Sequence, residues 1–250
     1  MTKFKKPLFF ALIMFPIGLA AGLFTGIYQL DIYAEEMLAE IIAQLGSVEA
    51  LLAVSAVQSA LYAAVCGFFG YILAGKLGLW KPVKFEKSAS IKTAVAGIIL
   101  GIVFILDYWT FGRLIPAVGE SYAGGVSAAA FIASVLYGGI IEEIMLRLFV
   151  LSLLAFIIWK LFCRKSETAP AKALIAANIA AALIFAAGHL PATLMSFGEI
   201  TPLILLRCFI LNGGFGLVYG RIYLRRGVHH AMLAHALTHI VAKIIWILFI

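Results

Sequence analysis

Seven apolar segments, each long enough to cross a lipid bilayer, determine what this chain can fold into. They cover residues 7–28, 50–75, 91–111, 125–163, 172–192, 200–223 and 228–250. A helix of about 20 apolar residues crosses roughly 30 Å of hydrocarbon, and continuous rather than alternating apolar segments argue against a membrane β-barrel. The sequence therefore predicts an all-α, polytopic transmembrane helix bundle of about seven to eight spans, with residues 1–250 as one integral membrane domain.

The composition agrees with this fold. Hydrophobic residues make up 64% of the chain and charged residues 12%, whereas ordinary soluble domains have about 45–50% and about 25%. The net charge of +7 comes mainly from basic residues in short loops, where membrane topology explains them better than nucleic acid binding. We therefore expect this chain to lie in the lipid bilayer and to bind no nucleic acid.

The connecting segments alternate in charge and so predict an orientation. The basic ones are the N-terminus with Lys3, Lys5 and Lys6, and residues 76–92, 164–172 and 221–226. Segment 29–49 is acidic, and loops 112–123 and 193–199 are nearly uncharged. Because Lys and Arg stay on the cytoplasmic side, we expect seven crossings with a cytoplasmic N-terminus, in a bacterial cytoplasmic membrane. The first apolar segment resembles a signal peptide without a clear cleavage site, so we expect an uncleaved span.

Two segments do not fit a simple count of spans. Segment 125–163 would extend about 58 Å as one helix, which is too long for one crossing, and we expect Gly138-Gly139 to break it into two helices. Residues 34–46 are expected to form a short amphipathic helix on the outer surface.

Smaller features within the spans carry expectations of their own. Gly18, Gly22 and Gly26 are spaced four apart, a pattern that lets membrane helices approach closely. Arg207 lies inside segment 200–223, where it either extends to the interface or pairs with a carboxylate.

Two carboxylates and a guanidinium stand inside the apolar run 138–161: Glu142, Glu143 and Arg147. Charges inside hydrocarbon are costly, so they face a protein interior or a wet cavity, usually for a task. Glu143 and Arg147 are four residues apart and can form an ion pair on one helical face. Glu142 points about 100° away and is left to meet a water. The alternative is that all three merely join helices together.

Histidines stand in two further apolar segments. His189 follows the run 173–188, and His235 and His239 lie four apart on one face of the last segment. Two histidines so placed can share a metal ion or a bound water. The alternatives are an interfacial residue for His189 and a polar seam between helices for the other two. His229 and His230 are expected at the membrane interface.

Together these residues form a candidate hydrolytic centre. Glu142 could take a proton from water and pass it to a leaving amine, while His235 and His239 stabilise the oxyanion. Alternatively, these three residues together with His189 hold a zinc ion that activates its bound water. The residue types leave both open. Counting along the helices places His235 about 10 Å and His189 about 25 Å from the cytoplasmic side, so a shared site needs helix tilt or a later helix start.

Three motifs resemble those of a known family of intramembrane proteases, the CAAX protease and bacteriocin-processing (Abi) family. The run 142–147, EEIMLR, resembles its E-E-x-x-x-R motif, and 185–189, FAAGH, matches F-x-x-x-H. The run 235–239, HALTH, matches H-x-x-x-N, with His239 where many members have asparagine. The resemblance covers about residues 125–245.

The resemblance implies an intramembrane endopeptidase whose protease core is residues 125–245. By resemblance, Glu142 and His189 activate the attacking water, and His235 and His239 form the oxyanion site or complete a metal site. Glu143 and Arg147 would be supporting residues. The family is usually assigned to the metalloproteases, and a metal-free glutamate mechanism is also argued for its prenyl-protein members. Zinc is therefore a candidate cofactor, bound by Glu142, His189, His235 and His239, and a metal-free mechanism stays open.

Two other function classes, a binding protein and a transporter, are compatible with charged residues inside the spans. A non-proteolytic immunity or peptide-binding protein is the alternative, and the presence of Glu142, His189 and His235 favours the enzyme. A proton-coupled transporter would also bury such residues, but the sequence has no inverted repeat. The expected substrate is a peptide or a membrane protein. The compact chain with short loops looks bacterial, which disfavours a prenylated substrate without deciding the question. The sequence predicts no oligomeric state.

Overall fold

The computed structural model describes residues 4–84 and 86–250, and Lys3 of the basic N-terminus lies outside the described residues. The chain is 85% helical, and the described residues contain no β-strand. In chain order the helices are α1 (Lys5–Ile32), α2 (Glu35–Leu45), α3 (Val48–Lys76), α4 (Lys87–Ile105), α5 (Phe111–Leu114), α6 (Pro116–Ala123), α7 (Ala128–Phe162), α8 (Ala171–Gly188), α9 (Leu190–Phe197), α10 (Pro202–Arg226) and α11 (Val228–Phe249).

The predicted all-α membrane bundle is confirmed. Seven helical segments in the described ranges are long and apolar enough to cross a membrane: α1, α3, α4, α7, α8 together with α9, α10 and α11. The predicted short helix over 34–46 is also present as α2, which buries none of its residues. The chain is therefore an integral membrane protein, while the side on which α2 lies stays a prediction.

The expected break at Gly138-Gly139 is wrong, because α7 continues through both glycines. Around them the helix widens to π-type turns, over Ser134–Ile141 and Glu143–Leu151. The glycines serve contact with α11 instead. A Cβ on Gly138 would lie 2.7 Å from His239 Nε2, and one on Gly139 would lie 2.9 Å from Ala236 Cα. Both helices approach closely only because these side chains are absent.

Small residues also bring α1 against α3, as their spacing predicts. A Cβ on Gly18 would lie 2.6 Å from Ala60 Cα, and one on Gly22 would lie 2.7 Å from Ala56 Cα. Both distances are shorter than real carbon atoms tolerate, so any side chain at these positions would force the two helices apart.

The basic loops meet at one end of the bundle, which we call the basic end. Arg226 donates to Ala89 O at 2.9 Å, which joins the α10–α11 turn to the start of α4. The Lys76 ammonium lies 5.2 Å from the ring centre of Phe156, so the end of α3 meets the end of α7. The alternation of charge along the sequence is thus matched by a clustering in space.

Acidic side chains dominate the other end, which we call the acidic end. Ser127, at the start of α7, donates to Asp31, near the end of α1, at 2.9 Å. Helix α2 and the start of α3 follow directly. The exposed charged residues that the order of the helices places here are Asp31, Glu35, Glu36, Glu40, Glu49, Glu120 and Glu199, with Arg113 as the exposed base.

The second alternative for Arg207, a carboxylate partner, is the one observed. Its Nη2 lies 2.6 Å from Asp107 Oδ2, and its Nε donates to both Asp107 oxygens, at 2.9 and 3.0 Å. Tyr122 donates to Asp107 at 2.9 Å, and Asp107 is buried. Sequence reasoning missed Asp107 because it stands at the end of a predicted span without a charged neighbour.

Candidate active site

Glu142 lies where the two π-type stretches of α7 meet. Such wide turns are rare and occur often at functional sites. Here they present two adjacent carboxylates to different surroundings. The side chain of Glu142 is 15% exposed and lines a cavity, whereas that of Glu143 is fully buried. This is the division that the helical rotation between neighbouring residues predicts.

Glu143 and Arg147 form the ion pair that their spacing predicts. Arg147 Nη1 lies 3.1 Å from Glu143 Oε1, and both side chains are buried. The guanidinium carbon lies 4.5 Å from the ring centre of Phe185 and 5.3 Å from that of Tyr219. Aromatic faces stabilise a desolvated guanidinium. These contacts offset part of the cost of burying the charge.

Glu143 also fixes the orientation of His235. The His235 Nδ1 atom lies 2.8 Å from Glu143 Oε1. Since an ionised carboxylate only accepts hydrogen bonds, Nδ1 carries the proton and donates it. The ring stacks on Tyr219, with centroids 4.3 Å apart, and its Nε2 lies 4.0 Å from Glu142 Oε2. Glu143 thus turns the second nitrogen of His235 toward Glu142.

His239 contacts His235 on the same face of α11. Its Nε2 lies 3.2 Å from His235 Nε2, and the rings are stacked with centroids 4.9 Å apart. Because His235 already has its proton on Nδ1, its Nε2 accepts when both rings are neutral, and His239 Nε2–H donates. His239 is therefore the imidazole of the two whose Nε2 carries a proton.

His189 reaches the same carboxylate from the end of α8. Its Nδ1 donates to Phe185 O at 2.8 Å, and its Nε2 lies 3.8 Å from Glu142 Oε1. Helix α8 begins at Ala171, so a later helix start does not explain how the site closes. The ring folds back over the preceding turn, which accounts for about one helical turn, ~5 Å, of the expected difference in depth. Helix tilt is the alternative left for the rest. Phe185 packs edge-on against both His189 and His235.

A cavity of about 260 Å³ is lined by all four candidate residues, Glu142, His189, His235 and His239. Spans α1, α4, α7, α8, α10 and α11 contribute side chains to its wall. His229 and His230 do not line it. His230 is buried at the basic end, with its Nδ1 3.0 Å from Thr93 Oγ1.

The fit of these residues to zinc is incomplete. Histidine and glutamate are zinc ligands, and Nδ1 hydrogen bonds that turn Nε2 toward a common point are typical of zinc-binding histidines. However, no group of three or more His, Cys, Asp or Glu in the described ranges is arranged to hold a metal ion. The Nε2 atoms of His235 and His239 instead share a hydrogen bond. No step below is therefore derived through a metal.

Tyr219 and Asn212 are among the polar residues of the cavity wall that sequence reasoning missed. Tyr219 is fully buried, donates to Thr238 at 2.8 Å and supports the rings of the site. Asn212 lies in a third π-type stretch, Phe209–Gly214. Both are polar residues in apolar spans, the signal that drew attention to Glu142, and the same criterion would have found them.

One of three comparisons with known proteins found a match. Residues 124–241 match the family model described as type II CAAX prenyl endopeptidase Rce1-like. This match is consistent with the CAAX protease family. No curated protein and no solved structure matches the chain. The Rce1-like domain contains all four candidate site residues, and its family is one of proteases. The assignment of residues 125–245 as the protease core of one membrane domain stays a prediction.

Proposed function

We propose that this chain is a member of the CAAX protease family and an intramembrane endopeptidase in which Glu142 activates the attacking water. The observation that carries the proposal is the position of the Glu142 carboxylate. It faces the cavity, with the Nε2 atoms of His189 and His235 at 3.8 and 4.0 Å. These separations exceed a direct hydrogen bond and suit a water that contacts both groups.

In the first step, Glu142 takes one proton from the water. His189 orients the water, since its Nδ1 proton is committed to Phe185 O and its Nε2 is free to accept. The remaining hydroxide oxygen attacks the carbonyl carbon of the substrate, and the carbonyl electrons move to its oxygen. General base catalysis of this kind contributes about 10²–10⁴-fold to a rate.

His239 and His235 are positioned to stabilise the oxyanion. The Nε2–H of His239 can turn from His235 to the oxyanion, which makes it the equivalent of the amide donor that many family members carry there. His235, oriented by Glu143, holds the His239 ring through the contact between their Nε2 atoms, which lie 3.2 Å apart. When the carbon–nitrogen bond breaks, Glu142 passes its proton to the leaving amine, so that a carboxyl and an amine terminus result.

Zinc is the alternative agent of water activation. Glu142, His189, His235 and His239 would hold it, and it would lower the pKa of a bound water. Elemental mass spectrometry of the purified protein distinguishes the two mechanisms. One zinc ion per chain in the wild type, and none in the His235→Ala/His239→Ala double variant, would assign water activation to the metal. An active protein without metal supports Glu142 alone.

The substrate that fits the proposal is a peptide or a segment of a membrane protein, cleaved in a bacterial cytoplasmic membrane. The test uses purified protein in lipid nanodiscs and a proteome-derived peptide library, with new termini identified by mass spectrometry. We expect new termini with the wild type and none with Glu142→Ala. Peptides that bind without being cleaved would favour the alternative, a non-proteolytic immunity or peptide-binding protein.

A further inference from the structure

We infer that the cavity opens at the acidic end of the bundle, on the non-cytoplasmic side, and that the substrate segment reaches Glu142 from there. The position of the opening does not depend on the proposed function, whereas the identification of the bound segment as a substrate rests on it. The inference selects one substrate class: peptides, or segments of membrane proteins, exposed outside the cytoplasm. Tails exposed only to the cytoplasm are excluded.

The wall of the cavity extends from Glu142 in one direction only. Helix α1 starts at the basic end, and it lines the cavity with its last turns, including Tyr28 and Gln29, and with Tyr33 just beyond it. On α7, which starts at the acidic end, the wall residues are Glu142 and positions before it, such as Ser134. Both helices therefore place the cavity between Glu142 and the acidic end.

The opposite direction is closed by packed side chains. One turn beyond Glu142 toward the basic end, Arg147 is 2% exposed and Leu148 is 0% exposed. Farther along, Ser152 and Tyr223 are fully buried, and their hydroxyl oxygens lie 2.6 Å apart. These packed side chains lie beneath Glu142, and the cavity that Glu142 and His189 line extends from them toward the acidic end.

The charges of the two ends assign the cavity to a side of the membrane. Lys and Arg in short loops remain in the cytoplasm, and the loops of the basic end carry almost all the exposed bases of this chain. The mouth, beside Asp31 and the acidic helix α2, then faces away from the cytoplasm. An acidic rim also attracts cationic segments and raises their local concentration.

Cysteine labelling in intact cells tests the position of the mouth without relying on cleavage. The chain has three cysteines, all free: Cys66, Cys163 and Cys208. Ser134→Cys, with all three native cysteines replaced by alanine, places one thiol in the cavity wall. Asn212→Cys serves as a second probe if the first does not fold. The control retains Cys163 alone, just after the basic end of α7, and a membrane-impermeant maleimide is added before or after permeabilisation.

We expect the cavity cysteine to be labelled equally before and after permeabilisation, and Cys163 to be labelled only afterwards. A cavity cysteine that reacts only after permeabilisation, or a Cys163 that reacts in intact cells, would overturn the inference. Peptide-library cleavage by right-side-out and inside-out vesicles adds the functional readout. Cleavage confined to right-side-out vesicles supports the substrate class, and cleavage confined to inside-out vesicles overturns it. Labelling from outside, with no Glu142-dependent cleavage in either vesicle, would sink the proposed function while leaving the position of the mouth intact.

Discussion

Asp107 and Glu142 are both carboxylates among apolar helices, and they differ in how their oxygens are used. Asp107 accepts from Arg207 on both oxygens and from Tyr122 on one, at 2.6–3.0 Å, and it is 2% exposed. The Glu142 carboxylate accepts no hydrogen bond from any residue in the described ranges, and this side chain is 15% exposed. The first carboxylate is saturated, whereas the second is open to a cavity.

This difference separates a structural charge from a reactive one. Burying a charge is tolerated when partners replace its water, and a carboxylate surrounded by such partners has no oxygen left for chemistry. Glu143 lies between the two cases, since it pairs with Arg147 and orients His235. The three carboxylates thus form a series from stability to reactivity.

The largest expected effect on stability comes from removing a guanidinium. Arg147→Ala leaves Glu143 buried without its partner and should cost about 3–5 kcal/mol of unfolding free energy. It should also reduce cleavage, because Glu143 then no longer holds His235 in place. Thermal unfolding in detergent and peptide cleavage measure the two effects.

Arg207→Ala is the matched control for that variant. It should destabilise the protein comparably, by leaving Asp107 unpaired, yet keep its cleavage rate below the unfolding transition. Equal losses of cleavage in both arginine variants would mean that the two regions do not differ in function.

An intermediate effect is expected at Tyr122. Tyr122→Phe removes one hydrogen bond to Asp107 and should cost about 1.5–3 kcal/mol, since the acceptor is charged. Cleavage should not change. Thermal unfolding and cleavage assays check both, and a slower enzyme of unchanged stability would contradict the structural role of this cluster.

The smallest effect on stability is expected at Gly138. A Cβ there would lie 2.7 Å from His239 Nε2, so Gly138→Ala should displace the imidazole, at about 1–3 kcal/mol for overpacking. The maximal cleavage rate should fall, because His239 is the proposed oxyanion donor. Gly75→Ala is the control, since no atom lies within 4 Å of a Cβ there. An unchanged rate for Gly138→Ala would argue against a catalytic role for His239.

Hydropathy was sufficient to predict the seven spans, because each must satisfy its backbone internally and present apolar side chains to lipid. It failed at Gly138-Gly139, since sequence alone does not tell a glycine that breaks a helix from one that admits a neighbour. Here the neighbour is His239, about a hundred residues away in the chain.

The candidate site was predictable as a set of residues but not as an arrangement. Spacing along α7 anticipated the Glu143–Arg147 pair and the separation of Glu142 from it. Counting along straight helices did not anticipate that His189 and His235 would meet Glu142, because it includes neither helix tilt nor the His189 ring, which folds back along its own helix. The partnership of Asp107 with Arg207 also escaped notice, since it joins two spans that lie far apart in the sequence.

The most direct test of the central claim is the cleavage rate of Glu142→Gln compared with that of Asp107→Asn, each in lipid nanodiscs with one peptide that the wild type cleaves. We expect Glu142→Gln to lose about 10²–10⁴-fold in rate with an unchanged unfolding temperature. Asp107→Asn should unfold at a lower temperature and retain its rate while folded. A Glu142→Gln protein that cleaves at the wild-type rate would contradict the account.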